Sequence, residues 1–155
     1  KMCREQFKLP EDDERLQVFE MDALDYVRNP VRHGKMDVLQ VDLYDAEAEG
    51  PVLDSPEFYE ACAACLTSEG MMTVNLFAND VQRRKNIEAM QRFFDVVVWL
   101  PEVHDANVVA IAFKTAPEID FEILYQRAAI LRVNYKLQAP MWVNGLKAWM
   151  LREDD

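Results

Sequence analysis

Segments with strand-type and helix-type hydrophobic patterns alternate along this chain of 155 residues, and this alternation constrains the fold most strongly. Strand-type patterns cover residues 16–21, 36–42 and 71–77, and helix-type patterns cover 22–28, 55–66 and 80–94. Strands that alternate with helices are typical of a parallel sheet. We therefore expect an α/β fold. The strand at 36–42 should be covered on both faces, and Gly70 should end the helix at 55–66.

The alternation stops near residue 95. Two apolar runs, 95–100 and 107–113, are joined by about six residues, which is too short for a crossover helix. We expect these runs to form an antiparallel hairpin at the C-terminal side of a mostly parallel sheet. Two helical segments, 120–131 and 140–151, follow, and Trp142, Leu146 and Trp149 share a face of the second that we expect to pack. We find no linker and expect a single domain over residues 1–155.

The charge and the hydropathy of the chain each argue against one class of partner, nucleic acids and membranes respectively. The 28 Asp and Glu against 17 Lys and Arg leave a formal net charge of −11, which repels phosphate backbones. We therefore expect no nucleic-acid partner. The sequence also has no apolar run long enough to span a bilayer and no secretory signal, so we expect no membrane association and a cytoplasmic location.

Glycine and cysteine usage narrows the choice of cofactor. The chain has only four glycines, and no two lie close enough to form a dinucleotide-binding fingerprint or a phosphate loop. Cys62 and Cys65 lie within a predicted apolar helix, and only two histidines accompany them in the chain. We expect both thiols to be packed in the core and no metal to be bound.

A polar side chain lies at or near the carboxyl end of each of the three predicted parallel strands. Asp22 comes after the first strand, Asp42 after the second, and Asn75 lies near the end of the third. The carboxyl ends of parallel strands meet at one edge of the sheet, where ligands bind in such folds. This edge is therefore the predicted binding site.

The second of these strand ends carries the candidate chemistry. Asp42 and Asp45 are three residues apart, so both can face one cleft and hold a cationic amine or accept its proton. Tyr44 adds a hydroxyl group or a stacking face. Simpler roles remain open, because Asp45 can cap a turn and Asp22 is an ordinary N-cap for the next helix. We interpret the adjacent pair at 104–105, His and Asp, as surface residues of the hairpin loop.

Several blocks of the sequence resemble one family. The run 36–45 (MDVLQVDLYD), followed by 50–53 (GPVL) and 55–59 (SPEFY), is similar to the central block of spermidine synthases and their bacterial relatives. Residues 66–75 and 125–137 extend the resemblance. It implies a class I methyltransferase-like (Rossmann-like) sheet and transfer of an aminopropyl group from decarboxylated S-adenosylmethionine to a diamine or polyamine.

The resemblance also implies roles for individual residues. Asp22, Ala23 and Leu53 correspond to positions that contact the nucleoside of the co-substrate. Asp42 corresponds to the group that orients the amine and accepts its proton, and Asp45 corresponds to a second contact with that amine. Tyr44 and Asn75 are predicted to contact the amine substrate, with Asn75 at the place where polyamine-producing members have glutamine.

Other features depart from the family pattern. The family's glycine-rich loop and its ribose-binding acidic residue would lie before Lys1, so we expect an N-terminally truncated fold. A homo-oligomer, or a retained N-terminal fragment, would then complete the sheet. Two other functions stay open: an S-adenosylmethionine-dependent methyltransferase of the same fold, and a non-catalytic relative that acts as a binding or assembly module.

Overall fold

The computed structural model describes residues 2–44, 54–77, 80–99 and 107–151. These residues form six α-helices, four strands and one short 3-10 turn, which confirms the α/β class. In chain order the elements are α1 (Met2–Phe7), α2 (Ala23–Arg28), the 3-10 turn Pro30–Arg32, β1 (Met36–Val41), α3 (Pro56–Cys65), β2 (Leu66–Phe77), α4 (Asp80–Met90), β3 (Val96–Trp99), β4 (Asn107–Phe113), α5 (Phe121–Tyr135) and α6 (Ala139–Met150).

The four strands form one sheet in the order β1-β2-β4-β3. β1 and β2 are parallel, and β4 lies antiparallel to both β2 and β3. Three strands therefore run in one direction and β4 alone runs in the other, as expected for a mostly parallel sheet with a C-terminal antiparallel hairpin. The carboxyl ends of β1 and β2 consequently lie side by side, because Val41 is paired with Val74.

Polar side chains cap the starts of α3 and α5. Ser55 caps α3 by accepting a hydrogen bond from the backbone N–H of Phe58, and Pro56 occupies the first turn. Asp120 caps α5 in the same way, through the N–H groups of Glu122 and Ile123. Each of these side chains satisfies a backbone donor that has no partner within the helix.

The prediction that Gly70 ends α3 is wrong, because the helix ends at Cys65 and Gly70 lies inside β2. Backbone N–H groups of Gly34 and Lys35 bind the carbonyls of Ala64 and Cys65, which satisfies the end of the helix. Gly70 instead permits a close approach between strands: a Cβ there would lie 2.8 Å from the carbonyl oxygen of Met36.

Residues 16–21, which we predicted as a strand, have no regular structure. None of the described strands pairs with them, and a strand without a hydrogen-bonded neighbour has little to stabilise it. Side chains hold the segment instead: the ring of Phe19 lies 5.5 Å from that of Tyr26 in α2. The segment therefore becomes a wall beside the sheet.

The predicted burial of β1 on both faces is also wrong. Only Val41 is fully buried, and Val38 is 50% exposed. Among the described strands, β1 pairs on one side only, with β2, so it forms an edge of the sheet. An edge strand leaves backbone donors and acceptors unpaired on its outer side.

The main core lies between the sheet and helices α2, α3 and α4. Its largest fully buried side chains include Tyr59, Phe58, Met72 and Leu76. A second, smaller cluster joins α5 to α6 around Ala128, Ala139 and Val143. Trp149 of α6 reaches β3, where its ring contacts Trp99 edge-on at 5.8 Å.

The expected packing face of α6 is only partly confirmed, because Trp149 and Leu146 are half-buried while Trp142 is 56% exposed. Among the described residues, no helix is both long and apolar enough to cross a bilayer.

Candidate functional site

The carboxyl ends of β1 and β2 bring Asp42 and Asn75 together. Asp42 is the first residue after β1, and Asn75 lies two residues before Phe77, the last residue of β2. The Asn75 side-chain amide donates a hydrogen bond from Nδ2 to Oδ1 of Asp42, over 3.2 Å. The parallel pairing of the two strands, which the sequence predicted, is what makes this contact possible.

The two partners have different surroundings. Asp42 is exposed, whereas Asn75 is half-buried in a strand that pairs on both sides. The Oδ1 atom of Asn75 is buried and has no hydrogen-bond partner among the described residues. A buried polar atom without a partner is costly and rare in folded proteins, and such atoms call for a functional or structural explanation.

A cavity of about 490 Å³ lies beside Asp42, between β1, α2, α3 and the segment 16–21. Asp42 and Leu43 line it at the end of β1, and Ala23 lines it at the start of α2. The remaining lining is mostly apolar and includes the aromatic rings of Phe19 and Tyr26. A volume of this size fits a small ligand, and Asp42 is the only carboxylate among its described lining residues.

Tyr44 lies two residues beyond Asp42 and is half-buried. Burial raises the pKa of its phenol above the usual value, and the negative charge of Asp42 adds to this shift. The hydroxyl therefore stays protonated at neutral pH and can donate a hydrogen bond. Asp42 and Tyr44 thus offer a negative acceptor and a neutral donor near the same strand end.

Asp22 is the N-cap of α2. Its Oδ1 atom accepts hydrogen bonds from the backbone N–H groups of Leu24, at 2.8 Å, and Asp25, at 3.1 Å, and so caps α2. The described lining of the cavity includes Ala23 but not Asp22. Contact between Asp22 and a nucleoside therefore stays a prediction.

Four of the residues considered in the sequence analysis lie outside the described part of the chain. Asp45 and Leu53 fall within residues 45–53, and the pair His104–Asp105 falls within residues 100–106.

Arg32 is a feature of this region that the sequence did not predict. Its guanidinium carbon lies 3.6 Å from the ring centroid of Tyr26 and 4.7 Å from that of Phe19, both of which line the cavity. Its Nε atom is buried without a hydrogen-bond partner among the described residues. Cations over aromatic rings are attracted by the electrons of the ring face, so Arg32 fastens the segment around Phe19 to α2. Only the folded chain brings these three side chains together.

Cys62 and Cys65 are packed in the core, as predicted. Burial raises the pKa of the Cys62 thiol to about 12, with a further contribution from Cys65. Burial also raises the pKa of Cys65, whose Sγ donates to the carbonyl oxygen of Val27. Both sulfurs are therefore protonated and unreactive at neutral pH. Among the described residues, no three His, Cys, Asp or Glu side chains converge in a way that suits a metal ion.

Comparison with known proteins supports the resemblance to spermidine synthases. A polyamine aminopropyltransferase from Chromobacterium violaceum is 30% identical over 148 residues, which cover 94% of this chain and 56% of that protein. The chain thus spans about half the length of this curated relative. No family model matches the chain.

Solved structures share the fold, and two of them illustrate the match. A spermidine synthase in complex with the transition-state analogue AdoDATO matches 74% of this chain and 43% of its own, with a TM-score of 0.59 and 21% identity. Human methyltransferase-like protein 13 in complex with SAH matches 92% of this chain and 64% of its own, with a TM-score of 0.68 and 19% identity. The fold is therefore that of the class I methyltransferase-like proteins, as predicted.

Proposed function

We propose that this chain supplies the amine-binding side of an aminopropyltransferase site that resembles the site of spermidine synthases. The observation that carries the proposal is the place of Asp42: it follows the strand β1, lines the cavity and is held by Asn75. The aminopropyltransferase relative, which matches 94% of the chain, supports the reaction class. The donor would be decarboxylated S-adenosylmethionine and the acceptor a small diamine or polyamine.

The charge of the site suits these substrates. The donor carries a positive sulfonium and the acceptor carries ammonium groups, whereas the chain has a net charge of −11 and Asp42 is an acidic residue that lines the cavity. Opposite charges raise the local concentration of both substrates and orient them. The protonated hydroxyl of Tyr44 adds a neutral hydrogen-bond donor close to Asp42.

In the proposed reaction, the acceptor amine first transfers a proton to the Asp42 carboxylate and becomes neutral. Its nitrogen lone pair then attacks the aminopropyl carbon next to the sulfonium. The new C–N bond forms as the C–S bond breaks, and the electron pair of that bond stays on sulfur to give methylthioadenosine. The chain needs no covalent nucleophile for this step, because positioning and proton transfer are sufficient.

The proposed binding residues divide between the two substrates. Ala23 lines the cavity and would contact the nucleoside, together with Asp22 and Leu53. Asp42, Asp45 and Tyr44 would face the amine. Asn75 enters this proposal through its hydrogen bond to Asp42.

The outer edge of β1, which pairs with none of the described strands, supports a proposal about assembly. Val38 on this strand is 50% exposed, and an exposed apolar edge strand tends to pair with another strand. We propose that a second copy of the chain, or a retained N-terminal segment, covers this edge in the working protein. Light scattering and native mass spectrometry test this, and a bare monomer of 18.0 kDa would contradict it.

The activity test compares two aspartates of the same strand region in the intact protein. Release of methylthioadenosine is measured with decarboxylated S-adenosylmethionine and putrescine. We expect Asp42→Asn to lower kcat/KM by about 100-fold or more, because general-base groups typically contribute that much. Asp37→Asn is the matched control: Asp37 is an exposed carboxylate at the other end of β1, bound to Thr67, and its substitution leaves activity unchanged.

Two outcomes would replace the proposal. Methyl transfer from S-adenosylmethionine, without aminopropyl transfer to any polyamine, would identify a methyltransferase of the same fold. If thermal shifts show no binding of methylthioadenosine, S-adenosylmethionine or putrescine, the chain is a binding or assembly module instead, since a bound ligand must stabilise the folded state.

A further inference from the structure

The Asn75 amide contacts the Asp42 carboxylate, but Asn75 does not belong to the described lining of the cavity that Asp42 lines. A ligand in that cavity would therefore meet Asp42, which lines it, and not Asn75, which is absent from its described lining. This arrangement differs from a direct contact between Asn75 and the amine substrate. It raises the question of what the amide does for Asp42.

Chemistry dictates which way the Asn75 amide points. A carboxylate has only acceptors, so the amide must present Nδ2, its donor, to Oδ1 of Asp42. Its own Oδ1 is then left buried without a partner among the described residues. The reverse orientation would set two acceptors against each other, so the amide keeps the costly arrangement because of its contact with Asp42.

The backbone around Asn75 is much better fixed than that around Asp42. β2 pairs with β1 on one side and with β4 on the other, where Asn75 lies opposite Val109. Asp42 lies just beyond the end of the edge strand β1 and is exposed. An exposed aspartate ordinarily exchanges among staggered rotamers. The hydrogen bond from the central strand opposes this exchange.

From these contacts we infer that Asn75 is a positioning residue, which holds one oxygen of Asp42 so that the rest of the carboxylate faces the cavity. The hydrogen bond to Oδ1 leaves Oδ2 of Asp42 for a cationic nitrogen of the ligand. Preorganisation of this kind removes an ordering cost at the moment of binding. The identity of the ligand rests on the proposed function, whereas the positioning of Asp42 does not.

The first experiment needs no ligand. In Asn75→Leu, which keeps the approximate volume of the side chain, the Hα–Hβ couplings of Asp42 measured by NMR should change from those of one rotamer to an average. Thr73→Val, a polar-to-apolar change two residues earlier in β2, should leave them unchanged. Couplings of a single Asp42 rotamer in Asn75→Leu would overturn the inference. Asn75→Ala provides the same comparison if the leucine variant does not fold.

Stability separates positioning from a structural role. Asn75→Leu removes a donor to Asp42 but also removes the buried oxygen, which has no partner in the part of the chain that the structure describes. We therefore expect its Tm to equal or exceed that of the unmodified protein while Asp42 loses its single rotamer. A lowered Tm with the Asp42 couplings unchanged would show that Asn75 serves the fold alone.

The second experiment is a double-mutant cycle on the affinity for putrescine, measured by calorimetry in the intact protein. We expect Asn75→Leu to weaken binding by about 3- to 10-fold, as coupled neighbours typically do. Asp42→Ala combined with Asn75→Leu should bind no more weakly than Asp42→Ala alone. Additive losses would refute action through Asp42. Methylthioadenosine affinity should not change with Asn75→Leu.

The two experiments keep the hypotheses apart. If the unmodified protein binds no putrescine, the proposed function fails. The NMR comparison then still decides whether Asn75 positions Asp42.

Discussion

Asp22 combines a structural role seen in the fold with a proposed role in binding, and substitution can separate the two. Its Oδ1 atom accepts both capping hydrogen bonds, from the N–H groups of Leu24 and Asp25. Oδ2 has no hydrogen bond among the described residues. Asp22→Asn keeps a side-chain oxygen for the cap but removes the charge, whereas Asp22→Ala removes both.

The expected loss of stability follows from the cap. Removing an N-cap side chain costs about 1 kcal/mol in the free energy of unfolding, with a range of roughly 0.5–2. For a protein of this size, each kcal/mol corresponds to about 2–4 °C in Tm. We therefore expect Asp22→Ala to lower Tm by about 2–4 °C. Asp22→Asn should remain close to the unmodified protein, because asparagine caps helices about as well as aspartate.

The binding assay then isolates the charge. Methylthioadenosine affinity is measured for both variants by calorimetry at a temperature well below either Tm. If the Asp22 carboxylate contacts the nucleoside, both variants should lose affinity, including the stable asparagine variant. If Asp22→Asn binds as well as the unmodified protein, the proposed contact is wrong and the cap is the whole role of this residue. A fall in Tm equal for both variants would refute the capping argument.

Two further predictions concern the core. Tyr59 donates a hydrogen bond to Oδ1 of the fully buried Asn86. Tyr59→Phe should therefore lower the urea-derived free energy of unfolding by about 1–3 kcal/mol, because Oδ1 of Asn86 is left unpaired. Adding Asn86→Leu should recover part of that loss. If the double variant recovers none of it, the explanation is wrong. Burial raises the pKa of Cys62 from 9.0 to about 12, so the neutral thiol is favoured in the folded state. The contribution of the neutral Cys62 thiol to the stability of the folded state is complete below pH 9 and is lost as the pH rises towards 12. The free energy of unfolding should thus fall with pH above 9, and less steeply in Cys62→Ala than in the unmodified protein.

Patterns within short stretches of the sequence predicted much of the fold. Apolar runs located β1 and the β3–β4 hairpin, a hydrophobic period of about 3.6 residues located α3 and α4, and Ser55 marked the start of α3. These signals succeed because their physical causes are local: a cap or a hydrophobic face depends on residues a few positions apart.

The errors have a common cause in contacts between distant residues. Gly70 was expected to end a helix, but it lies in β2, where the backbone of Met36 comes too close for any other side chain. Residues 16–21 have the alternation of a strand but no neighbouring strand among the described residues, and alternation alone does not form a sheet.

For the candidate site, the sequence by itself determined which groups are present and that Asp42 and Asn75 lie at or near the carboxyl ends of two predicted parallel strands. Only the tertiary structure decided that the Asn75 amide binds Asp42, that Asp22 turns to its own helix and that Arg32 stacks on Phe19 and Tyr26. The reason is geometric. Hydrophobic periodicity specifies which face of an element is buried, whereas a hydrogen bond or a ring contact depends on side-chain directions that are set when distant elements pack together.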